Sequence, residues 1–223
     1  MKHKLVALVP MRHHSERVPG KNYRQFAEKP LFHHIITTLQ SVPELDAIMV
    51  DTDSPVIMAG LETSFPEVVV HVRPENLRED TIPMNEILIH DTEVIESEYY
   101  LQTHSTNPLL HSETISAAIN TFFENISRHD SLFGVTRLQT RLWDQNGQPV
   151  NHDPSILLRT QDLPPIYEEN SCIYLFSRQM LLSRRNRMGE HPLLYEISPE
   201  EAFDIDEELD FILAEMMFRQ IKG

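Results

Sequence analysis

The segment that most constrains the fold is residues 5–22, LVALVPMRHHSERVPGKN. A short apolar run ends at Pro10, and a loop follows that carries Arg12, Ser15, Arg17, Gly20, Lys21 and Asn22. A buried strand opening into a basic, glycine-containing loop is how α/β proteins present N–H groups and cations to phosphate. Each charge-assisted hydrogen bond to phosphate is worth roughly 1.5–3 kcal/mol, so three or four such donors hold a nucleoside triphosphate. A solvated basic turn fits the same residues, and local chemistry alone leaves both open.

The rest of the chain alternates short apolar runs with longer amphipathic stretches. That pattern predicts an α/β fold with a mainly parallel sheet and crossover helices. Strands are expected at 5–10, 47–51, 68–72, 99–102, 132–136 and 172–176. Helices are expected at 30–41, from Ser54-Pro55 onward, and at 84–96, 113–125, 179–185 and 207–221. Pro30 and Pro55 suit a first helical turn, where a missing N–H costs nothing. Residues 137–169 hold four prolines and no sustained periodicity, and are expected to form an insertion or arm on one 223-residue domain.

The formal net charge is −15, which argues against a nucleic-acid partner. It also makes the cations around the first strand a local exception, since an anionic ligand needs local neutralisation whatever the global sign. No apolar run approaches the ~20 residues that span a bilayer, so no membrane role is expected. The N-terminal residues meet charge at once and read as a first strand, not a signal peptide. A single cysteine, Cys172, offers neither an internal disulfide nor a zinc cluster, and the cytoplasm is the expected compartment. The 12 histidines match no metal-binding spacing.

Other constellations carry chemistry. In Phe203-Asp204-Ile205-Asp206 the two carboxylates alternate with apolar residues. An extended segment puts both on one side, as a hard divalent cation requires. Asp206 as a helix N-cap fits the same residues. Thr52 and Asp53 follow the second strand, at the sheet end where ligands of open α/β folds sit, and also suit a helix cap. Gln102, Ser105 and Thr106 belong to a hydrogen-bonding loop without Lys, Arg or acid, which suits a polyhydroxylated ligand or plain surface. Arg159 is placed either to pair with a substrate acid or with Asp162 or Glu168 of its own fold.

Together these pieces resemble the CMP-sugar synthetases, the acylneuraminate cytidylyltransferases and their relatives acting on 3-deoxy-manno-octulosonate. PMRHHSERVPGKN stands for the family's first loop, Thr52-Asp53 for its TD, and Arg73-Pro74 with Asp80-Thr81 for its nucleotide segment. LQTHSTNPLL stands for its sugar loop, RTQDLPPIYEENSCIY for its RQDLP run, and Asp204-Ile205-Asp206 for its magnesium site. The resemblance implies a Rossmann-like nucleotide-diphospho-sugar transferase fold, with a homodimer formed through the irregular arm. It implies that CTP is held by Arg12, Ser15, Arg17, Lys21, Asn22, Thr52, Asp53, Arg73, Asp80 and Thr81. An acidic 2-keto sugar would meet Gln102, Ser105, Thr106 and Arg159. Magnesium would sit on Asp204 and Asp206, with Arg12, Lys21 and Asp206 taking part in catalysis. Departures concentrate in two places. His13, His14 and Glu16 replace two glycines and a lysine, and Ser171 replaces a glycine. The sugar loop lacks the family's arginine, with Leu110 near that place. Another acid, such as an octulosonate or phosphonate, and a nucleotide binder without turnover are the alternatives.

Overall fold

The computed structural model describes residues 3–222. Strand β1 (His3–Met11) lies in the interior of the sheet, because its aliphatic side chains are buried on both faces. Leu5, Ala7, Val9 and Met11 face one core, and Val6 and Leu8 the other. The first core packs beneath α1 (Leu31–Gln40), α2 (Pro55–Ser64) and α4 (Ser112–Asn125). The second lies under α3 (Met84–Val94) and α5 (Arg178–Arg184).

The remaining strands of the sheet are β4 (Ala47–Thr52), β5 (Val69–Val72), β6 (Ser97–Gln102), β7 (Ser131–Leu138), β8 (Ile166–Ser177) and β9 (Pro192–Glu196). A separate small hairpin pairs β2 (Gln25–Phe26) with β3 (Lys29–Pro30). The seven-stranded order is β5-β4-β1-β6-β8-β7-β9. β5, β4, β1 and β6 run parallel, as do β7 and β9, while β8 is antiparallel to both its neighbours. The mainly parallel sheet is therefore present. Ser54 caps α2, its Oγ accepting from the Ile57 N–H at 3.3 Å, with Pro55 next in the helix. None of the described helices is long and apolar enough to cross a membrane.

Three expectations need correction. The valine-rich run at 68–72 suggests a buried strand, but β5 is an edge strand whose Val69, Val70 and Val72 are exposed. The arm is shorter than 137–169, because β7 and β8 stay paired out to Leu138 opposite Ile166. That outer ribbon is solvated and needs no apolar periodicity. Strand β9 was not expected at all, since it closes the other edge of the sheet and is only half-buried.

A third core positions the site. Val18 of the first loop and Phe26 and Leu31 pack against Ile205, Phe211 and Ala214, the last two on α6 (Glu208–Lys222). This cluster clamps the chain's last helix beside its first loop.

Candidate active site

The loop after β1 is braced from within. Asn22 donates from Nδ2 to the Arg12 carbonyl at 2.8 Å and accepts from Ser105 Oγ at 2.7 Å, joining the first loop to the one after β6. Gly20 takes φ +66°, and a Cβ there would lie 2.9 Å from the Tyr23 ring. His13 donates its backbone N–H to Asp53 at 2.7 Å, while its Nδ1 lies 2.8 Å from Ser54 Oγ. Its ring stacks on Tyr23. The first of the paired histidines is thus tied to the start of α2.

Lys21 reaches across to the carboxylate segment, donating to the Ile205 carbonyl at 2.5 Å with Asp206 4.0 Å away. Its side chain is only 13% exposed. Burial pushes its pKa down, opposed by the charges of Asp204 and Asp206. Arg17 pairs with Asp206 at 2.7 Å, and Arg12 with Asp80. Both pairs are solvent-exposed, so each holds by no more than ~1 kcal/mol and gives way readily to a ligand.

The structure bears on the helix-cap reading of residues 203–206. Ile205 is fully buried, and Asp204 and Asp206 both line the cleft. The start of α6 is served by Asp210, whose Oδ2 accepts from the N–H groups of Asp206 (3.1 Å) and Glu207 (2.7 Å). Asp206 is therefore not the cap. Burial raises the pKa of Asp204, opposed by a hydrogen bond from Thr106 and by Lys21. Its Oδ1 is buried without a hydrogen-bond partner among the described residues. A lone buried carboxylate oxygen is costly, on the order of 1–3 kcal/mol, and a cation relieves it. The donor set is two carboxylates, and no group of three or more His, Cys, Asp or Glu among the described residues could hold a metal. That suits a hard ion that keeps waters and takes its other oxygens from phosphate, as magnesium does.

These parts line one cleft of about 520 Å3. Of the expected residues it gathers Arg12, Ser15, Arg17, Lys21, Asn22, Arg73, Asp80, Ser105, Thr106, Asp204 and Asp206. A larger cleft, about 920 Å3, between the β2–β3 hairpin, α1 and the end of α6, takes in none of them. Chemistry, not size, makes the smaller cleft the candidate site.

Several expected residues do not line the cleft. Thr52 is fully buried and its Oγ1 accepts from the Ser54 N–H, while Asp53 holds the first loop through His13. Thr81 lies beside the cleft residues Asp80 and Ile82 without lining it, and Gln102 is fully buried behind His104. Arg159 is 73% exposed on the arm and paired with Asp162 at 2.7 Å, the internal pairing its sequence also allowed. Conversely, His14, Glu16, Glu79, Met84, Ile87, His104 and Ser171 line the cleft without having been singled out as ligand contacts. His104 sits inside the hydrogen-bonding loop already noted, so a signal existed. Met84 and Ile87 come from the start of α3, whose apolar spacing is indistinguishable from core.

A protein-family model described as cytidylyltransferase matches residues 6–221. The chain belongs to the cytidylyltransferase family. It is accordingly a nucleotidyltransferase. It is 26% identical over 219 residues to a post-translational flagellin modification protein B of Campylobacter coli, covering 92% of this chain and 91% of that one. It is 28% identical to a CMP-N,N'-diacetyllegionaminic acid synthase of Legionella pneumophila, covering 96% of each chain. The chain spans about half the length of two N-acylneuraminate cytidylyltransferases that it also matches. Among solved structures, a CMP:2-keto-3-deoxy-manno-octonic acid synthetase complexed with CTP superposes with TM-score 0.72, 14% identity and coverage of 98% and 99%. At that identity the likeness concerns the fold, and the nucleotide-diphospho-sugar transferase fold is the one expected.

Proposed function

We propose that this cytidylyltransferase joins CTP to an acidic 2-keto sugar of the sialic, pseudaminic or legionaminic type, giving a CMP-sugar and pyrophosphate. The observation that carries the reading is one cleft in which the basic loop of β1 faces the Asp204–Asp206 pair, with Lys21 spanning the two. The sugar's anomeric hydroxyl would attack the α-phosphorus in line. A new P–O bond forms there, the bond to the bridging oxygen of the β-phosphate breaks, and pyrophosphate leaves with that electron pair. The chain's own contribution is positioning and neutralisation.

Arg12, Arg17 and Lys21 supply cations for the triphosphate, and Ser15 and Asn22 hold the loop that carries them. Arg17 and Arg12 would leave their exposed carboxylate partners as phosphate arrives. Ser105 and Thr106 also line the cleft and would meet the sugar. Asp204 and Asp206 are the residues that would hold magnesium, which when bound supplies charge neutralisation for the triphosphate and the attacking oxygen. Asp206→Asn should lower the magnesium-dependent rate of pyrophosphate release on the order of 10²–10³-fold, the several kcal/mol that a catalytic metal provides. Because Asp206 is half-exposed, its melting temperature should move by no more than about 2 °C. Unchanged activity would remove the metal assignment.

The same proposal includes a homodimer through the arm. Trp143, Val150, Ile156, Leu157 and Leu158 are all exposed there, and Leu157 is 91% exposed. Apolar residues gathered on one projecting segment are what a partner surface covers. Leu157→Asp should convert a dimer to a monomer in sedimentation, and a wild-type protein already monomeric at high concentration would contradict the dimer.

A further inference from the structure

The polar loop after β6 contains no Lys or Arg, and Arg159 is held away on the arm by Asp162. A carboxylate substrate still needs a cation. One approaches this end of the site from another element: Arg187 does not line the cleft itself but stands behind it, joined through Gln102 to the cleft residue His104. Helix α5 ends at Arg185 in the left-handed conformation (φ 51°), which turns the chain back toward the sheet. The turn is fastened by Asn85, whose Oδ1 accepts from the Arg187 N–H at 3.1 Å. The Arg187 guanidinium is thereby laid over the Tyr174 ring, 3.5 Å from its centroid, and donates through Nη1 to Gln102 Oε1 at 2.5 Å.

The stacking fixes one face of the guanidinium and Gln102 fixes one of its N–H groups. The Tyr174 side chain adds a hydrogen-bond contact to the guanidinium, and no carboxylate among the described residues pairs with it closely. Glu169, the one carboxylate within 4.0 Å among the described residues, is 3.9 Å from Nη2 and already accepts the Tyr174 hydroxyl. The arginines that line the cleft are better matched: Arg12 by Asp80, Arg17 by Asp206, Arg73 by Asp51. Arg187 is buried enough that desolvation lowers its pKa from the usual guanidinium value, yet its side chain keeps 16% exposure. His104, which lines the cleft and touches Gln102 at 2.8 Å, feels the charge of both Arg187 and Lys21 and is held neutral, its pKa near 3, mainly by burial. Their two fields thus meet at His104.

We infer that Arg187 is the specificity-determining residue that receives the carboxylate of the acid substrate, Tyr174 and Gln102 holding its planar fork in place. This rests on the cytidylyltransferase reading above. A pre-oriented guanidinium binds a carboxylate through two parallel hydrogen bonds, which lysine cannot reproduce.

The test compares wild type, Arg187→Gln and Arg187→Lys in pyrophosphate release with CTP and each 2-keto acid. CTP binding is measured separately by calorimetry without acid. Arg187→Gln should raise the KM for the acid by roughly 10–100-fold, the loss typical of a site left without its hydrogen-bonded partner. CTP affinity should stay within about 2-fold, because the CTP contacts are elsewhere in the cleft. Arg187→Lys should restore part of the loss. Wild type should also prefer the acid over its carboxamide, and Arg187→Gln should not. Should Arg187→Gln fail to fold, the wild-type comparison of acid with carboxamide still decides. Equal use of the two, an unchanged acid KM, or a parallel loss of CTP affinity would overturn the assignment. If wild type releases pyrophosphate with no acid, the parent reading fails. Calorimetric binding of the acid beside a non-hydrolysable CTP analogue then tests Arg187 alone, and equal affinities in wild type and Arg187→Gln would sink it.

Discussion

Ser171 occupies a left-handed backbone position, φ 59°, at the wall of the cleft. The β7–β8 pairing shifts register opposite it, between Phe133 and Val135. A bulge of this kind re-aims side chains beside a site. It is also where the resemblance expects glycine, so the backbone keeps the glycine conformation although the side chain has changed. Ser171 Oγ lies 3.2 Å from the Tyr174 hydroxyl, which ties the bulge to the ring under Arg187. Left-handed strain without such a link is found at Ala27, φ 52°, in the turn of the β2–β3 hairpin. A non-glycine residue there costs roughly 1–2 kcal/mol, against about 0.5–1 for the extra freedom glycine loses. Ala27→Gly should therefore stabilise by about 0.5–1 kcal/mol and raise the melting temperature by about 1–4 °C. A lowered melting temperature would show that the Ala27 methyl packs more tightly than its strain costs.

Among elements, the joint between β4, β5 and α3 is the most charged part of the interior. Asp51 of β4 accepts from Arg73 Nε at 2.9 Å, and both are buried. Asp91 of α3 is also fully buried, and neither of its carboxyl oxygens meets an N–H or hydroxyl donor among the described residues. Two carboxyl groups and one guanidinium leave one acid uncompensated. Burial first, and then the charge of Asp51, hold the Asp91 proton well above the usual carboxylate range. In the unfolded chain Asp91 ionises near 3.8, so across the interval above that value the folded state binds the extra proton. Its contribution to stability is full below that value and declines as pH rises through the folded pKa. Asp91→Asn has no such slope. Relative to wild type, the variant should gain most in urea unfolding at pH 8 and lose that gain as pH falls toward 4. A difference independent of pH would mean that Asp91 is ionised in the fold.

Elements were legible in proportion to how completely they are buried. The apolar runs of β1, β4, β6 and β8 carry the centre of the sheet, and Ser54-Pro55 marks the start of α2. Strand β9 and the ribbon beyond the register shift lie at an edge or in solvent, where neither period-2 nor period-3.6 burial is imposed. The site divides in the same way. The first loop and the Asp204–Asp206 alternation are local patterns and stand in the sequence. Arg187 depends on a left-handed turn, a ring one strand away and an asparagine on α3, and no spacing announces that convergence.

At the scale of the molecule, the site lies at the carboxyl ends of β1 and β6, where open α/β sheets hold ligands. The third core clamps α6 beside the first loop, which brings Asp204 and Asp206, just ahead of that helix, to the same cleft. The cations of that loop stand in a chain of net charge −15, so they attract anions only at short range and most strongly at low salt. CTP capture should weaken as ionic strength rises. The central claim is that this cleft performs nucleotidyl transfer to an acid, and the most direct measurement is pyrophosphate release from CTP with magnesium. It should be followed with no acceptor and with sialic, pseudaminic, legionaminic and octulosonic acids in turn. Release should depend on one of these acids and match, mole for mole, the CMP-sugar formed. Tight CTP binding with no pyrophosphate from any acid would contradict the claim and leave a nucleotide-binding protein of this fold.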